Sequence, residues 1–193
     1  MKAKAHRRNS KAMILKKGRF MQLMRKGEWE YVERNNCSGI VIIVAMTEDQ
    51  KVIFVEQYRP PVDKKVIEFP AGLVNDHRDA KTESLKKAAK RELLEESGYQ
   101  AKDIVRWLQG PVSSGSSGDL VTMVRATGLK KIAKGGGIDE SESIIVHEID
   151  LSDVDAWLKR MQSQGYLVEP KIYTGLYFLK NYNRARYSAS PRL

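Results

Sequence analysis

The segment that most constrains the fold is a charged helix. The stretch KRELLEESGY, residues 90–99, places Glu92, Glu95 and Glu96 within five positions of a predicted helix. At about 100° per residue, the three carboxylates fall within roughly 100° of arc and share one face. Like charges four positions apart destabilise a helix by about 0.2–0.5 kcal/mol per pair. A chain that keeps them together needs a compensating interaction.

The glutamate face is also the apolar face of this helix. Leu85, Ala88 and Ala89 lie within about 60° of Glu92 on a helical wheel, whereas the lysines at 86, 87 and 90 lie on the far side. One interpretation is a solvated acidic face, but the lysines already occupy the solvent side. Inward carboxylates are costly unless they are paired or bound to a metal. The pattern therefore favours a divalent cation.

The positive charge of the chain lies at its two ends. The 193 residues carry 34 Lys and Arg against 24 Asp and Glu, a net charge of +10. Residues 1–27 hold ten basic side chains and residues 170–193 hold five, with no acid in either, so the middle is acidic. A basic arm can bind nucleic acid or a membrane, and a solubilising tail is the simpler interpretation. A basic surround also suits a polyanionic substrate.

Length and composition predict one soluble domain with a substantial core. The longest apolar run, residues 39–46, is too short to span a bilayer and predicts a buried strand. The only cysteine, Cys37, excludes an intramolecular disulfide and is compatible with a reducing compartment. The histidines His6, His77 and His147 show no metal-ligand spacing. We expect a cytoplasmic protein without membrane association.

Strand and helix patterns alternate along the chain in the order of a layered α/β or α+β domain. Strands are predicted in 13–34 and at 38–46, 51–57, 65–69, 103–109, 120–128 and 144–151, and helices at 82–97, 152–165 and 170–183. The segment PAGLV, residues 70–74, is interpreted as a turn-rich exit from a strand. The segment GPVSSGSSGD, residues 110–119, is interpreted as a mobile loop. Gly98 is predicted to end the first helix.

The charged helix lies within a longer motif. From Glu83 the sequence ESLKKAAKRELLEESGY resembles the distal part of the Nudix box: Gly, five residues, Glu, seven residues, Arg-Glu, an aliphatic residue, any residue, Glu-Glu, any residue and Gly. The positions that fit are Glu83, Arg91, Glu92, Leu93, Glu95, Glu96, Gly98 and Tyr99. The chain departs upstream, because His77 stands where the box has glycine. The candidate glycine is Gly72, which implies an insertion of about five residues in NDHRDAK.

The resemblance implies a hydrolase of a nucleoside diphosphate linked to another group, dependent on Mg²⁺ or Mn²⁺. Such cations prefer oxygen ligands. The implied ligands are Glu92 and Glu96, with Glu95 a third and the backbone carbonyl of Ala71 completing the shell. The metal would neutralise the diphosphate, activate a water and stabilise the leaving phosphate.

Other residues of the motif are implied to have structural or catalytic roles. Glu83 and Arg91 would tie the entering loop to the helix, so Glu83 is counted as structural, with Gly72 and Gly98. Arg91 and Glu95 are also counted with the catalytic residues.

The general base is expected from the acidic loop GGGIDESES, residues 135–143. In the branch described next, the base comes from such a mobile loop and not from the box. Glu140 fits best by its distance from the following strand, with Glu142 as a metal ligand or the alternative base. Glycines and carboxylates together suit a lid that closes over substrate, and the alternative is a solvated acidic loop.

Further segments resemble one branch of the family. WEYVER, EQYRPPV, VIEFPAGLV and DESES followed by IIVHEI are similar to ADP-ribose pyrophosphatases and nucleoside diphosphate sugar hydrolases. This implies an α+β Nudix fold, an α/β/α sandwich with a mixed sheet between helices, over residues 37–193. Residues 1–36 would form a basic arm and a small β segment. Because members of this branch dimerise by exchanging that segment, we expect a homodimer.

Five residues are expected to bind substrate on the same grounds. Arg59 would contact the diphosphate or be a surface arginine, and Arg34 would bind a phosphate or the terminal ribose. Trp29 would stack on the nucleobase or be a core tryptophan. Phe20 would form the other half of that sandwich, and Glu68 completes the set.

The predicted function is Mg²⁺-dependent hydrolysis of nucleoside diphosphate sugars, of the ADP-ribose, ADP-glucose or GDP-mannose type, to nucleoside monophosphate and sugar phosphate. Two alternatives stay open. One is an RNA 5′-end pyrophosphohydrolase that uses the basic arm for attachment. The other is an inactive nucleotide-sensing module, which requires the loss of a box glutamate or arginine, and none of these is lost. The preferred base and sugar depend on a few pocket groups that the sequence does not identify.

Overall fold

The structure is a computed structural model that describes residues 10–75, 83–137 and 143–181. Within these ranges lie eleven strands, three α-helices and one 3-10 turn at Pro60–Val62. The strands are β1 (Met13–Lys17), β2 (Met21–Lys26), β3 (Trp29–Arg34), β4 (Gly39–Ala45), β5 (Lys51–Arg59), β6 (Lys64–Glu68), β7 (Ala71–Val74), β8 (Tyr99–Pro111), β9 (Leu120–Lys131), β10 (Ile145–Asp150) and β11 (Leu167–Val168). The helices are α1 (Leu85–Ser97), α2 (Val154–Ser163) and α3 (Lys171–Asn181).

The strands form three sheets. The order in the first is β1-β2-β3, in the second β7-β4-β9-β8 and in the third β10-β5-β6-β11. Strands β4 and β9 are parallel, as are β6 and β11, and the other pairs are antiparallel. The second and third sheets are therefore mixed, and the first stands apart over residues 13–34. A domain boundary near residue 36 stays a prediction.

Strand β4 shows why helices cover both faces of the molecule. Val41 and Ile43 pack in one apolar cluster with Leu93 of α1. Ile42 and Val44 pack in a second cluster with apolar side chains of α2 and α3. Because successive strand residues point to opposite faces, an unbroken apolar run is buried on both sides. The predicted α/β/α arrangement is confirmed.

Two expectations about local structure are wrong. PAGLV contains strand β7, which pairs with β4 through Val41 and Gly72, so this backbone is part of the sheet. The loop after β8 is tied to the N-terminal sheet, because the N–H of Val32 donates to the Ser116 carbonyl at 2.9 Å and the N–H of Gly118 donates to the Val32 carbonyl at 2.9 Å. Its Gly- and Ser-rich composition permits these close backbone contacts and does not imply a free loop.

The helices of the described ranges are all short. The longest, α1, has 13 residues, and none is long and apolar enough to cross a bilayer.

Candidate active site

Helix α1 begins and ends with residues that satisfy its terminal backbone groups. Ser84 is the N-cap, and its hydroxyl accepts a hydrogen bond from the N–H of Lys87 at 3.3 Å. Gly98 follows the helix with φ of 77°, in the predicted position, and its N–H donates to the Leu94 carbonyl at 2.8 Å. A side chain at Gly98 would meet the Ala133 carbonyl. The caps set the length of the helix and so the register of its glutamates.

Glu96 is the most buried of the three helix glutamates, at 8% exposed. One carboxylate oxygen accepts from the N–H of Ala71 at 3.0 Å, and the other accepts from the Gln57 amide at 3.4 Å. Burial raises the pKa of the Glu96 carboxyl to about 8; the Ala71 N–H opposes this shift and the charge of Glu92 adds to it. The site therefore holds a carboxylate whose negative charge the described residues compensate only in part.

Glu92 lies against the backbone of β7. A Cβ atom built on Gly72 would stand 1.8 Å from the Glu92 carboxyl carbon. A side chain at position 72 would have to displace the Glu92 carboxylate, so glycine in β7 lets the carboxylate keep this position. Gly72 thus makes room for the carboxylate of the helix.

Arg91 connects the helix glutamates to the chain before it. Its guanidinium donates to Glu83 at 3.0 Å, to Glu92 at 2.9 Å and to Glu95 at 3.1 Å, and also to the Leu73 carbonyl at 3.1 Å. Burial lowers the pKa of Arg91, but the Glu83 hydrogen bond and the charges of Glu92, Glu83 and Glu95 outweigh it and raise the pKa above its usual range. Arg91 therefore stays charged and orients the carboxylates of Glu83, Glu92 and Glu95.

Glu83 also contacts Asn75, the first residue of the segment NDHRDAK (75–81) in which the insertion is predicted; residues 76–81 of that segment lie outside the described residues. The N–H of Glu83 donates to the side-chain carbonyl of Asn75, and the N–H of Asn75 donates to the Glu83 carboxylate at 3.4 Å. Asn75 has φ of 61°, a conformation that asparagine tolerates better than most residues. The two flanks of the insertion are thus joined. No motif marked Asn75, because the contact depends on the fold.

Arg59 and Glu68 form an ion pair beside this cluster. The Arg59 Nε lies 2.7 Å from the Glu68 carboxylate on the adjacent strand, and the side chains are 41% and 13% exposed. The ion pair also acts on Glu96. The charge of Arg59 lowers the pKa of Glu96, and the charge of Glu68 raises it. The structure therefore brings together Glu68, Arg59, Ala71, Gly72, Glu83, Arg91, Glu92, Glu95 and Glu96.

The remaining expected substrate residues lie on the N-terminal sheet. Trp29 and Phe20 are 53% and 51% exposed, so Trp29 is not a core tryptophan. Arg34 donates through its backbone N–H to Asp119 at 3.0 Å. A Cβ at Gly115 would stand 3.9 Å from the Trp29 ring, which places the loop after β8 beside this tryptophan.

The expected general bases, Glu140 and Glu142, lie outside the described residues. The described chain just before them is attached to the end of α1. The N–H of Gly136 donates to the Glu96 carbonyl at 2.9 Å, and the N–H of Gly137 donates to the Glu95 carbonyl at 3.1 Å.

The expected metal ligands form a pair of carboxylates and not a complete set. In the described ranges, no three His, Cys, Asp or Glu side chains are grouped so as to hold a metal ion. Burial raises the pKa of Glu96, and the charge of Glu92 adds to that shift. Carboxylate oxygens suit a hard divalent cation, which would oppose that shift. The donor chemistry fits Mg²⁺, with further ligands needed from elsewhere.

Comparison with known proteins identifies the family. The family model described as the NUDIX domain matches residues 38–160. The chain belongs to the Nudix family. The match includes α1 and the strands around it, so the family resemblance predicted from the helix motif is confirmed.

Two relatives and one solved structure show how far the likeness extends. The chain is 31% identical over 121 residues to a methanol dehydrogenase activator of Bacillus methanolicus, covering 63% of each chain. It is 32% identical over 126 residues to an ADP-ribose pyrophosphatase of Bacillus subtilis, covering 65% of this chain and 64% of the relative. The chain thus spans just under two thirds of either relative. The crystal structure of an ADP compounds hydrolase superposes with a TM-score of 0.65 at 18% identity, over 88% of this chain and 90% of the other, and shares the fold.

Proposed function

We propose that this Nudix protein is a divalent-cation-dependent pyrophosphatase that cleaves the diphosphate of nucleoside diphosphate sugars, ADP-ribose among them. The observation that carries the proposal is the buried carboxylate of Glu96 beside Glu92, whose charge is compensated only in part. The relative named as an ADP-ribose pyrophosphatase supports the substrate class.

Glu92, Glu96 and the carbonyl of Ala71 would hold the cation. Bound there, Mg²⁺ or Mn²⁺ would supply charge neutralisation and an activated water. Arg91 fixes the glutamates through its hydrogen bonds to Glu92 and Glu95. These hydrogen bonds would hold the Glu92 and Glu95 carboxylates in place before a cation binds. Less conformational entropy is then lost when the cation site forms.

The chain's other proposed roles concern the substrate. Arg59, whose side chain is 41% exposed, would bind the diphosphate while Glu68 orients its guanidinium. Arg34, Trp29 and Phe20 would bind the nucleoside end, since the exposed rings offer faces on which a base can stack. The proton acceptor would be Glu140 or Glu142.

The N-terminal sheet supports a homodimer as the working form. Its strands and turns expose an unusual number of large apolar side chains between 36% and 55%: Met13, Ile14, Leu15, Phe20, Met21, Leu23 and Trp29. A concentration of exposed apolar side chains on one small sheet is typical of an interface between proteins. A second copy that covers this sheet would also bring its Trp29 and Phe20 to a neighbouring site.

A substrate panel tests the proposal. The protein is incubated with ADP-ribose, ADP-glucose or GDP-mannose and Mg²⁺, and release of AMP or GMP is measured. We expect turnover of at least one sugar, and none when EDTA removes the metal. Absence of turnover for all three with Mg²⁺ present would contradict the proposed function.

A further inference from the structure

A carboxylate from the last part of the chain lies beside the proposed diphosphate site. Strand β11 runs parallel to β6, with Leu167 beside Val66, and the N–H of Glu169 donates to the Ile67 carbonyl at 3.0 Å. Glu169 directly follows β11, two positions after Leu167, and the charges of Glu68 and Arg59 both act on its carboxyl, so we place it near Glu68 on the face that carries Leu167 and Val66.

The same face carries the groups of the active site. Gln57 of β5 stands opposite Val66 in antiparallel register, and its amide reaches Glu96 at 3.4 Å. Arg59, two residues after Gln57, pairs with Glu68. The face therefore presents a row of polar groups that runs from the proposed cation site at Glu96, past Arg59, to the last strand.

The end of this row is close to electrically neutral. Glu169 forms an ion pair with Lys171, the first residue of α3, and the two side chains are 19% and 28% exposed. Beside them stands the Arg59–Glu68 pair, so two carboxylates face two cations. Burial raises the pKa of Glu169, Lys171 opposes the shift, and the charge of Glu68 adds to it. Such a balanced group has little attraction for another phosphate.

Neutral hydroxyl groups suit this place better. A carboxylate has two oxygens and accepts hydrogen bonds from hydroxyls, and bonds to a charged acceptor are roughly twice as strong as neutral ones. The carboxylate of Glu169 lies within electrostatic reach of Arg59, so it would be near the second moiety of a diphosphate whose phosphate Arg59 holds. Nothing in the Nudix helix motif covers this part of the chain.

We propose that Glu169 is a specificity-determining residue that binds the hydroxyls of the sugar on the distal phosphate, with Lys171 holding its carboxylate in position. The inference rests on the proposed function and names the part of the protein that distinguishes a sugar from another group. The backbone of Glu169 also has a structural role, because its carbonyl accepts a hydrogen bond from the Ile172 N–H at 3.0 Å. A change of the side chain keeps this bond, so it tests the binding role separately.

Two ligands of equal charge test the inference. ADP-ribose and the β-methyl ester of ADP both carry a diphosphate diester, and only ADP-ribose carries a sugar on the distal phosphate. Their dissociation constants are measured by calorimetry with Ca²⁺ in place of Mg²⁺, to slow turnover. The variants are Glu169→Gln, Lys171→Gln and the control Asp155→Asn, which removes an acid paired with Lys180 at the other end of α3 at 2.9 Å.

We expect the preference of the wild-type protein for ADP-ribose over the methyl ester to fall about tenfold in Glu169→Gln and about threefold in Lys171→Gln, because a charged acceptor is lost or displaced. Asp155→Asn should keep the wild-type ratio. An unchanged ratio in Glu169→Gln, with ADP-ribose still hydrolysed in Mg²⁺, would overturn this inference alone. If Glu169→Gln does not fold, an unchanged ratio in Lys171→Gln overturns it. A wild-type protein that neither binds nor hydrolyses ADP-ribose, ADP-glucose or GDP-mannose would overturn the proposed function as well.

Discussion

Two buried glutamates, Glu56 on strand β5 and Glu96 on helix α1, have opposite electrostatic surroundings. Glu56 on β5 is 4% exposed and accepts from Lys65 and from His147, each at 2.9 Å. Burial raises the pKa of Glu56, but those two hydrogen bonds outweigh it and leave the pKa below its usual range. Glu96 on α1 is 8% exposed and accepts from the Gln57 amide and the Ala71 N–H, and burial raises its pKa to about 8 although the charge of Arg59 opposes the shift.

The difference separates a structural carboxylate from one prepared for a ligand. A buried charge is stable where the protein itself supplies the opposite charge, as Lys65 does for Glu56. Where the protein supplies only an amide and a backbone N–H, as at Glu96, the negative charge is left for something that binds. His147 lies in the Glu56 group and packs on Trp157 with ring centres 5.2 Å apart, so its role is structural.

The largest effect is expected on activity when Glu96 is changed. Glu96→Gln keeps an oxygen for the Ala71 N–H and removes the charge, so the protein should stay folded while nucleoside diphosphate sugar hydrolysis falls roughly 10²–10³-fold. Initial rates of AMP release at saturating Mg²⁺ measure this. Activity within threefold of wild type would show that Glu96 does not serve the cation.

The matched change at Glu56 should affect stability instead. Glu56→Gln leaves Lys65 and His147 facing an amide, and loss of one partner of a buried ion pair destabilises a protein by about 2–3 kcal/mol when the other partner is partly exposed. Urea unfolding gives the free energy of unfolding. At a temperature where the variant is folded, its rate of hydrolysis should equal that of wild type; a large loss of rate would place Glu56 in the reaction.

The two glutamates should also give stability opposite dependences on pH. Glu96 has a folded pKa of about 8 against an ordinary 4.5, so the stability it contributes is present at low pH and is lost as pH rises toward 8. In EDTA, wild type should lose about 2 kcal/mol relative to Glu96→Gln between pH 5 and pH 7. Mg²⁺ should reduce this slope, because it favours the ionised carboxyl.

Glu56 contributes in the other direction. Its folded pKa is lowered, so its stability is present above the ordinary pKa of 4.5 and is lost as pH falls through the folded value. Urea unfolding of wild type, Glu96→Gln and Glu56→Gln over pH 4–8 separates the two contributions. Parallel curves for wild type and Glu96→Gln would contradict the account of the site.

The burial of Glu96 could be predicted from the sequence, because helix periodicity places it on the apolar face. The spacing of Glu92, Glu95 and Glu96 on an apolar stripe depends only on local geometry, and the structure buries Glu96 as that spacing indicates. The neighbours Glu56 and Gln57 show the limit. Strand alternation sends these adjacent polar residues to opposite faces, but no local signal reveals which face carries the proposed site when the strand is buried on both sides.

Long-range contacts explain the other omissions. Asn75 meets Glu83 across the insertion, and Glu169 meets Glu68 only because β11 joins the edge of β6. Neither Asn75 nor Glu169 lies in a motif. A loop separates Asn75 from Glu83, and Glu169 is distant from Glu68 along the sequence. Strand β7 was missed for a similar reason, since Pro70 and Gly72 indicate a turn until the partner strand β4 is known.

The smallest predicted effect concerns the backbone that makes room for the carboxylates. Gly72 and Gly39 lie on the same strand pair, β7 and β4, yet a Cβ at Gly72 would stand 1.8 Å from the Glu92 carboxyl carbon and a Cβ at Gly39 meets nothing within 4 Å. Gly72→Ala must displace Glu92, so the Mg²⁺ concentration for half-maximal hydrolysis should rise about tenfold, as when the support of a metal ligand is disturbed. Gly39→Ala should leave it within twofold. Equal Mg²⁺ titrations of the two variants would mean that Glu92 holds no cation, and the charge left uncompensated at Glu96 would then need another explanation.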